Sequence, residues 1–234
     1  MFTQLDTAPI WLSIKLASVT TLILLLISIP LCWWLCHTHH RVRGIISSLV
    51  TLPLILPPTV LGFYLLILLG ANGPIGQLTG FLGIAPLAFS FPGLVVASVI
   101  YSLPFAVQPI QSAFESIGNH TLEAAATLRA SPVDRFFTIV LPLAKPGIFT
   151  AAVLSFAHTI GEFGVILMIG GSIPGETKVI SIAIYEHVEA LEYEQAYLLS
   201  GGMVLFAFVT LLLLYSFKQT NRTATHRGDR PKVN

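Results

Sequence analysis

Apolar positions in this chain gather into five long runs, at residues 10–36, 45–70, 91–111, 146–170 and 196–217. Each is long enough to cross the hydrocarbon core of a bilayer as a helix, which takes about 20 apolar residues. Strands of a membrane barrel would alternate with period two, and these runs do not. The pattern predicts an all-α integral membrane protein with about five transmembrane helices. Between the third and fourth runs lies a polar stretch, residues 113–145, with helix signals of its own. Asn119 or Thr121 can cap a first helix, Glu123 falls in its first turn, and Ala124, Ala125 and Ala126 follow. Ser131-Pro132 with Asp134 starts a second helix, and Pro142 is expected to stop it.

Composition agrees with a lipid environment. Of 234 residues, 54% are hydrophobic and only 10% charged, against about 25% charged in a soluble domain. One helical membrane domain over residues 1–217 accounts for the length, and residues 218–234 read as a basic, disordered tail lying against anionic headgroups. The first run is not read as a cleaved signal, because it is too long and Trp33-Trp34 stand where small residues would be needed.

Charge then orients the spans. Ten of the twelve lysines and arginines follow run one, lie in the central polar loop or follow run five; Lys15 and Lys178 are the exceptions. The positive-inside rule places the amino terminus outside, and the central loop and carboxyl terminus in the cytoplasm.

Within the runs, a few residues stand out chemically. The end of run one carries Cys32, Cys36, His37, His39 and His40, but no second ligand pair follows at a zinc-finger spacing, so no metal site is expected. Run two holds Pro53, Pro57 and Pro58, a kink that suits a span facing the bundle interior. Pro57, Pro58 and Thr59 are therefore candidates to line a path, with packing alone as the other reading. Run four contains His158, Gly161 and Glu162 within HTIGEFG, and Glu162 is the only acid inside a run. An ionisable group at that depth is a functional candidate. The spacing i, i+4 lets His158 and Glu162 pair on one helix face, and a gate and a structural pair are the two readings. The segment after run four is acidic, with Glu186, Glu189, Glu192 and Glu194.

There is no phosphate-binding glycine loop with its lysine, and no constellation of nucleophile, base and orienting group. The chain is not expected to be an enzyme, to need a cofactor or to bind nucleic acid. A stand-alone proton-coupled transporter using Glu162 and His158 would be expected to show inverted repeats, and five spans do not divide into two.

The central loop carries a resemblance. Glu123-Ala124-Ala125, followed at the right distance by Ile139-x-Leu141-Pro142, resembles the EAA motif of ABC importer permeases, with Arg129 where a glycine is usual. That resemblance implies a MetI-like helical core and a cytoplasmic coupling helix, here Thr121, Leu122, Glu123, Ala124, Ala125, Ala126, Leu128 and Arg129, docking on a separate ATPase subunit. LPLILPPTVLGFYLL, AHTIGEFG and IPGET are further similar to permeases of molybdate/tungstate importers, and GEFG is shared with sulfate/thiosulfate permeases. The resemblance implies a homodimer in the bacterial inner membrane, with two ATPase subunits and a periplasmic or extracellular oxyanion-binding protein. A sulfate or thiosulfate permease is the alternative.

Overall fold

The computed structural model describes residues 6–38, 41–118, 121, 123, 125, 127 and 131–228; the side chains of residues 41 and 218–228 lie outside that description. Among the described residues there are helices and no strands. We label them α1 (Ala8–His37), α2 (Arg41–Thr51), α3 (Pro58–Leu69), α4 (Pro74–Phe81), α5 (Phe91–Ser116), α6 (Pro132–Leu143), α7 (Lys145–Gly161), α8 (Gly164–Gly170), α9 (Ile180–Glu189) and α10 (Tyr193–Gly228). Four stretches are long and apolar enough to cross a membrane: Ala8–His37, Pro58–Phe81, Phe91–Ser116 and Tyr193–Phe217. A fifth results if α6 and α7, bent by 66° to each other, are taken as one.

The centre of the molecule is the bundle of α1, α5 and α7, with α8 set against α3 and α5. Toward the Ala8 end, Leu12, Leu16, Leu69, Leu94, Ile166 and Ile169 form one apolar core. Toward the His37 end, Cys32, Val107, Ile110, Phe114 and Val140 form a second. Close approach here depends on small residues. A Cβ on Gly147 would lie 2.4 Å from that of Ala113 and 2.9 Å from the Pro109 carbonyl, so α7 can touch α5 only through a glycine. α10 packs on α9 and α7 and turns Leu205, Phe208 and Leu212 outward.

Four expectations are corrected. Residues 218–228, expected to belong to a disordered tail, instead continue α10 as helix to Gly228. The second run, 45–70, is not one kinked span. It is divided into α2, a 3-10 turn at Leu52–Leu54 and α3, with Pro57 extended (φ −55°, ψ 136°) between them. Proline lacks the N–H needed to continue the ladder, and it pushes the residue before it out of the helical region. Two adjacent prolines therefore end one helix and begin another.

The fourth run, 146–170, breaks as well. α7 stops at Gly161, Glu162 is extended (ψ 133°), and α8 starts at Gly164.

The helix begun at Ser131 does not stop at Pro142. A single π turn over Phe136–Val140 lets the Leu141 amide donate five residues back, to Phe136, so the chain remains helical to Leu143 and bends at Ala144.

Candidate permeation path and coupling loop

The central loop is tied to the bundle by aromatic rings. Phe136 of α6 lies edge-on to Trp33 of α1 (ring centroids 5.0 Å apart) and to Phe114 of α5 (6.4 Å). Alongside, Glu115 accepts from Arg43 (2.8 Å) and from Gln111 (2.9 Å), which joins α2 to α5. Ser131 caps α6, accepting from the Asp134 amide at 3.1 Å, as the Ser-Pro-x-Asp spelling leads one to expect.

Ahead of it, Thr121, Glu123, Ala125 and Thr127 are helical, and the Thr121 hydroxyl donates to the Ile117 carbonyl at 3.2 Å. Thr121, Glu123 and Thr127 are exposed, while Ala125 is buried. Leu122, Ala124, Ala126, Leu128 and Arg129 lie outside the described residues.

The two helix breaks meet deeper in the bundle. A Cβ on Gly164 would stand 2.8 Å from the Pro58 Cβ, so the start of α8 sits directly on the start of α3. Pro57 and Thr59 are exposed beside this contact, and Pro58 is half-buried. Gly161 is exposed, with nothing within 4 Å of where a Cβ would stand.

Glu162 points the other way, into the bundle, where it is 4% exposed and neither carboxyl oxygen has a hydrogen-bond partner. The buried Ser98 hydroxyl of α5 lies beside it, also without a partner. The Glu162 backbone carbonyl is held by the Ser181 hydroxyl of α9 at 2.6 Å, and the Phe163 ring rests against Tyr185 at 5.2 Å. α9 thus straps the break.

His158 and Glu162 are not paired. The helix ends between them, and His158 Nδ1 is bonded instead to the Ser102 hydroxyl at 2.9 Å. Its ring stacks on Phe105 at 3.9 Å, with Tyr101 at 5.1 Å. Ser102 also bonds Thr159, at 3.2 Å. Ser98, Tyr101, Ser102, Phe105 and Ser181 are therefore part of this site, and the sequence reading missed them. The signal was present in Ser98 and Ser102, polar side chains four apart on one face of an apolar run.

Beyond α8, the Ser172 hydroxyl donates to Glu186, which also pairs with Lys178, while His187 meets Glu192 at 2.8 Å. Partial burial pushes the Glu186 carboxyl up, but hydrogen bonds from Lys178 and Ser172 and the Lys178 charge outweigh it and hold the group below its ordinary range.

A helical membrane protein with broken spans and a polar helical loop between them has the build of a transporter permease. The chain belongs to the family described as binding-protein-dependent transport system inner membrane component, which matches residues 28–221. It is accordingly a multi-pass inner-membrane transport component. Among relatives, it is 60% identical over 214 residues to the molybdenum transport system permease protein ModB of Azotobacter vinelandii, covering 92% of this chain and 95% of that one. It is 39% identical over 188 residues to the protein of the same name from Escherichia coli strain K12, covering 78% and 82%. In fold it resembles a solved bacterial ABC transporter involved in import of the acidic polysaccharide alginate (TM-score 0.70, 18% identity, 94% of this chain and 80% of that one). It also resembles a methionine ABC transporter solved in inward-facing conformations (TM-score 0.66, 16% identity, 91% and 96%).

Proposed function

We propose that this chain is the membrane permease subunit of an ATP-driven importer for molybdate, with tungstate as the chemically similar second cargo. The observation that carries the reading is 60% identity over 214 residues with a molybdenum transport system permease protein. Sulfate is the competing cargo, and a probable sulfate permease of Chlorella vulgaris is 31% identical over 207 residues. Its lower identity favours molybdate.

In this reading ATP is hydrolysed by a separate subunit. The polar loop around Glu123 supplies the contact to it, supported by the exposed helical residues Thr121, Glu123 and Thr127. The remaining residues of the coupling helix in this proposal are Leu122, Ala124, Ala125, Ala126, Leu128 and Arg129. Ala125, being buried, would brace the helix against the permease itself. The path runs past Pro57, Pro58, Thr59, His158, Gly161 and Glu162, where two broken helices leave backbone away from regular ladders. Irregular backbone at membrane depth is tolerated only against protein or a water-filled cavity.

A second copy of the chain completes the channel, and each copy takes one ATPase subunit. A soluble oxyanion-binding protein delivers cargo on the outer face, where the amino terminus and the acidic α9 segment lie. The basic tail from residue 218 is cytoplasmic, following the permease domain that ends near residue 217.

Molybdenum accumulation in cells carrying this chain with or without its ATPase tests the reading. Uptake that needs the ATPase and is not displaced by a large excess of sulfate is expected; uptake without any ATPase, or full displacement by sulfate, overturns it. Glu123→Lys reverses charge at a helix start and at the docking face. It should abolish cargo-stimulated ATP hydrolysis and ATPase pull-down while the permease still inserts. Unchanged stimulation would remove the loop from its coupling role.

A further inference from the structure

On the flank of the bundle away from α3, a groove of about 430 Å³ opens between α1, α7, α9 and α10. Its walls are Ile14, Phe156, Ile160, Ile180 and Phe206, and Gly202 forms an open floor, with nothing within 4 Å of where a Cβ would stand. The one polar side chain is Ser13. Its hydroxyl donates to the Pro9 carbonyl at 2.8 Å and accepts from the Ile180 amide at 2.8 Å, so its hydrogen bonding is already used internally. A polar ligand would lose its water here and gain nothing in return. An aliphatic chain would lose nothing and would restore the dispersion contacts that an empty groove forfeits.

We infer that this groove is a binding site for one acyl chain of a membrane phospholipid. Two features on the page favour lipid over another protein. α1 and α10, which form two of its walls, are long and apolar enough to cross a membrane, and Leu198, Leu205 and Phe208 of α10 are exposed. At the same end of these helices, Trp11, Tyr193 and Tyr197 are all exposed, the amphipathic rings that sit at headgroup level. The inference rests on the proposed path in one respect: Pro57, Thr59 and the α3 surface face the flank where a second copy would complete the channel. α3 packs on α4, α5 and α8, whereas α10 packs on α7 and α9, so the groove belongs to the other flank.

The site has a structural consequence. Ile160 lies two residues before the break at Glu162, and Ile180 opens α9, whose next residue, Ser181, holds the Glu162 carbonyl. A chain seated in the groove touches both sides of that strap and fills the space into which either could slip.

Native mass spectrometry of the full permease–ATPase complex, released from nanodiscs of palmitoyl-oleoyl phosphatidylethanolamine and phosphatidylglycerol, reads the site directly. The wild type should retain phospholipid after the bulk lipid is stripped. Gly202→Phe, whose ring would enter the groove, should lose it, and Gly201→Leu, one residue outside the lining, should keep it. Equal retention in Gly202→Phe overturns the inference. So does a disulfide between two copies through Gly202→Cys, which would show protein covering the groove. If Gly202→Phe does not assemble, Phe206→Trp carries the test: phospholipid brominated on its acyl chains should quench the added fluorescence, and absence of quenching overturns the site. Lipid retention is read without transport, so a wrong cargo or a wrong path shows in uptake and not here.

Discussion

The two broken spans end their helices by different chemistry. Between α2 and α3 the break is local: Pro57 and Pro58 remove successive N–H donors, and the extended Pro57 is exposed. Between α7 and α8 there is no proline. Gly161 and Gly164 only weaken the helix, and the break is secured by contacts from far along the chain, Ser181 to the Glu162 carbonyl and Tyr185 to Phe163. The first break needs no partner. The second depends on α9, and therefore can be released by moving α9. Through Pro58 and Gly164, a corner fixed by its own residues rests on one held from a distance.

The contrast can be broken most directly at the contact itself. Gly164→Val places a branched side chain where even a Cβ would stand 2.8 Å from Pro58. Overpacking of this kind costs about 1–3 kcal/mol. Thermal unfolding in detergent should fall accordingly, and uptake should be lost; an unchanged midpoint would mean that the two breaks are not pressed together.

Glu162→Gln retains the shape of the break and changes only the buried acid. We expect uptake to fall much further than the unfolding midpoint. Loss of folded protein with normal uptake per remaining molecule would make Glu162 a purely structural residue.

Ser181→Ala removes one hydrogen bond from the strap, an effect of about 1 kcal/mol. Hydrogen exchange at residues 162–164 should rise, while the segment around Pro57 stays as it was. Pro57→Ala should do little in return, lowering stability by about 0.4–1 kcal/mol through the unfolded chain, because Pro58 still opens α3. A large loss there would show that the proline break, too, is held from outside.

The smallest effect is expected at the far end of the strap. Glu186 is held below its ordinary carboxylate range by Lys178 and Ser172. A depressed folded pKa stabilises above the unfolded value, near 4.5, and that stabilisation disappears as pH falls through the folded pKa. Unfolding midpoints followed downward from pH 5 should therefore drop slightly more in the wild type than in Glu186→Gln. At pH 7 the ion pair contributes little, being partly solvated.

Much of this protein was legible from its residues. Long apolar runs can be stable only as helices in lipid, since every backbone group must be satisfied within the segment, and so the helical class follows from hydropathy. The proline break is equally local, because φ and a missing donor belong to the residue itself. The α6 start was legible too, as Ser131 and Asp134 interact three residues apart.

What hydropathy left open was decided by the tertiary structure. Nothing near Glu162 announces that the helix stops there, because its carbonyl partner is nineteen residues away on α9. The i, i+4 spacing suggested a His158–Glu162 pair, but that geometry holds only along an unbroken helix. Once the helix ends at Gly161, Ser102 takes the histidine and the carboxyl is buried without a hydrogen-bond partner. Local sequence sets which backbone states are allowed. Which of them is occupied deep in the bundle depends on donors and acceptors that only the folded chain brings together.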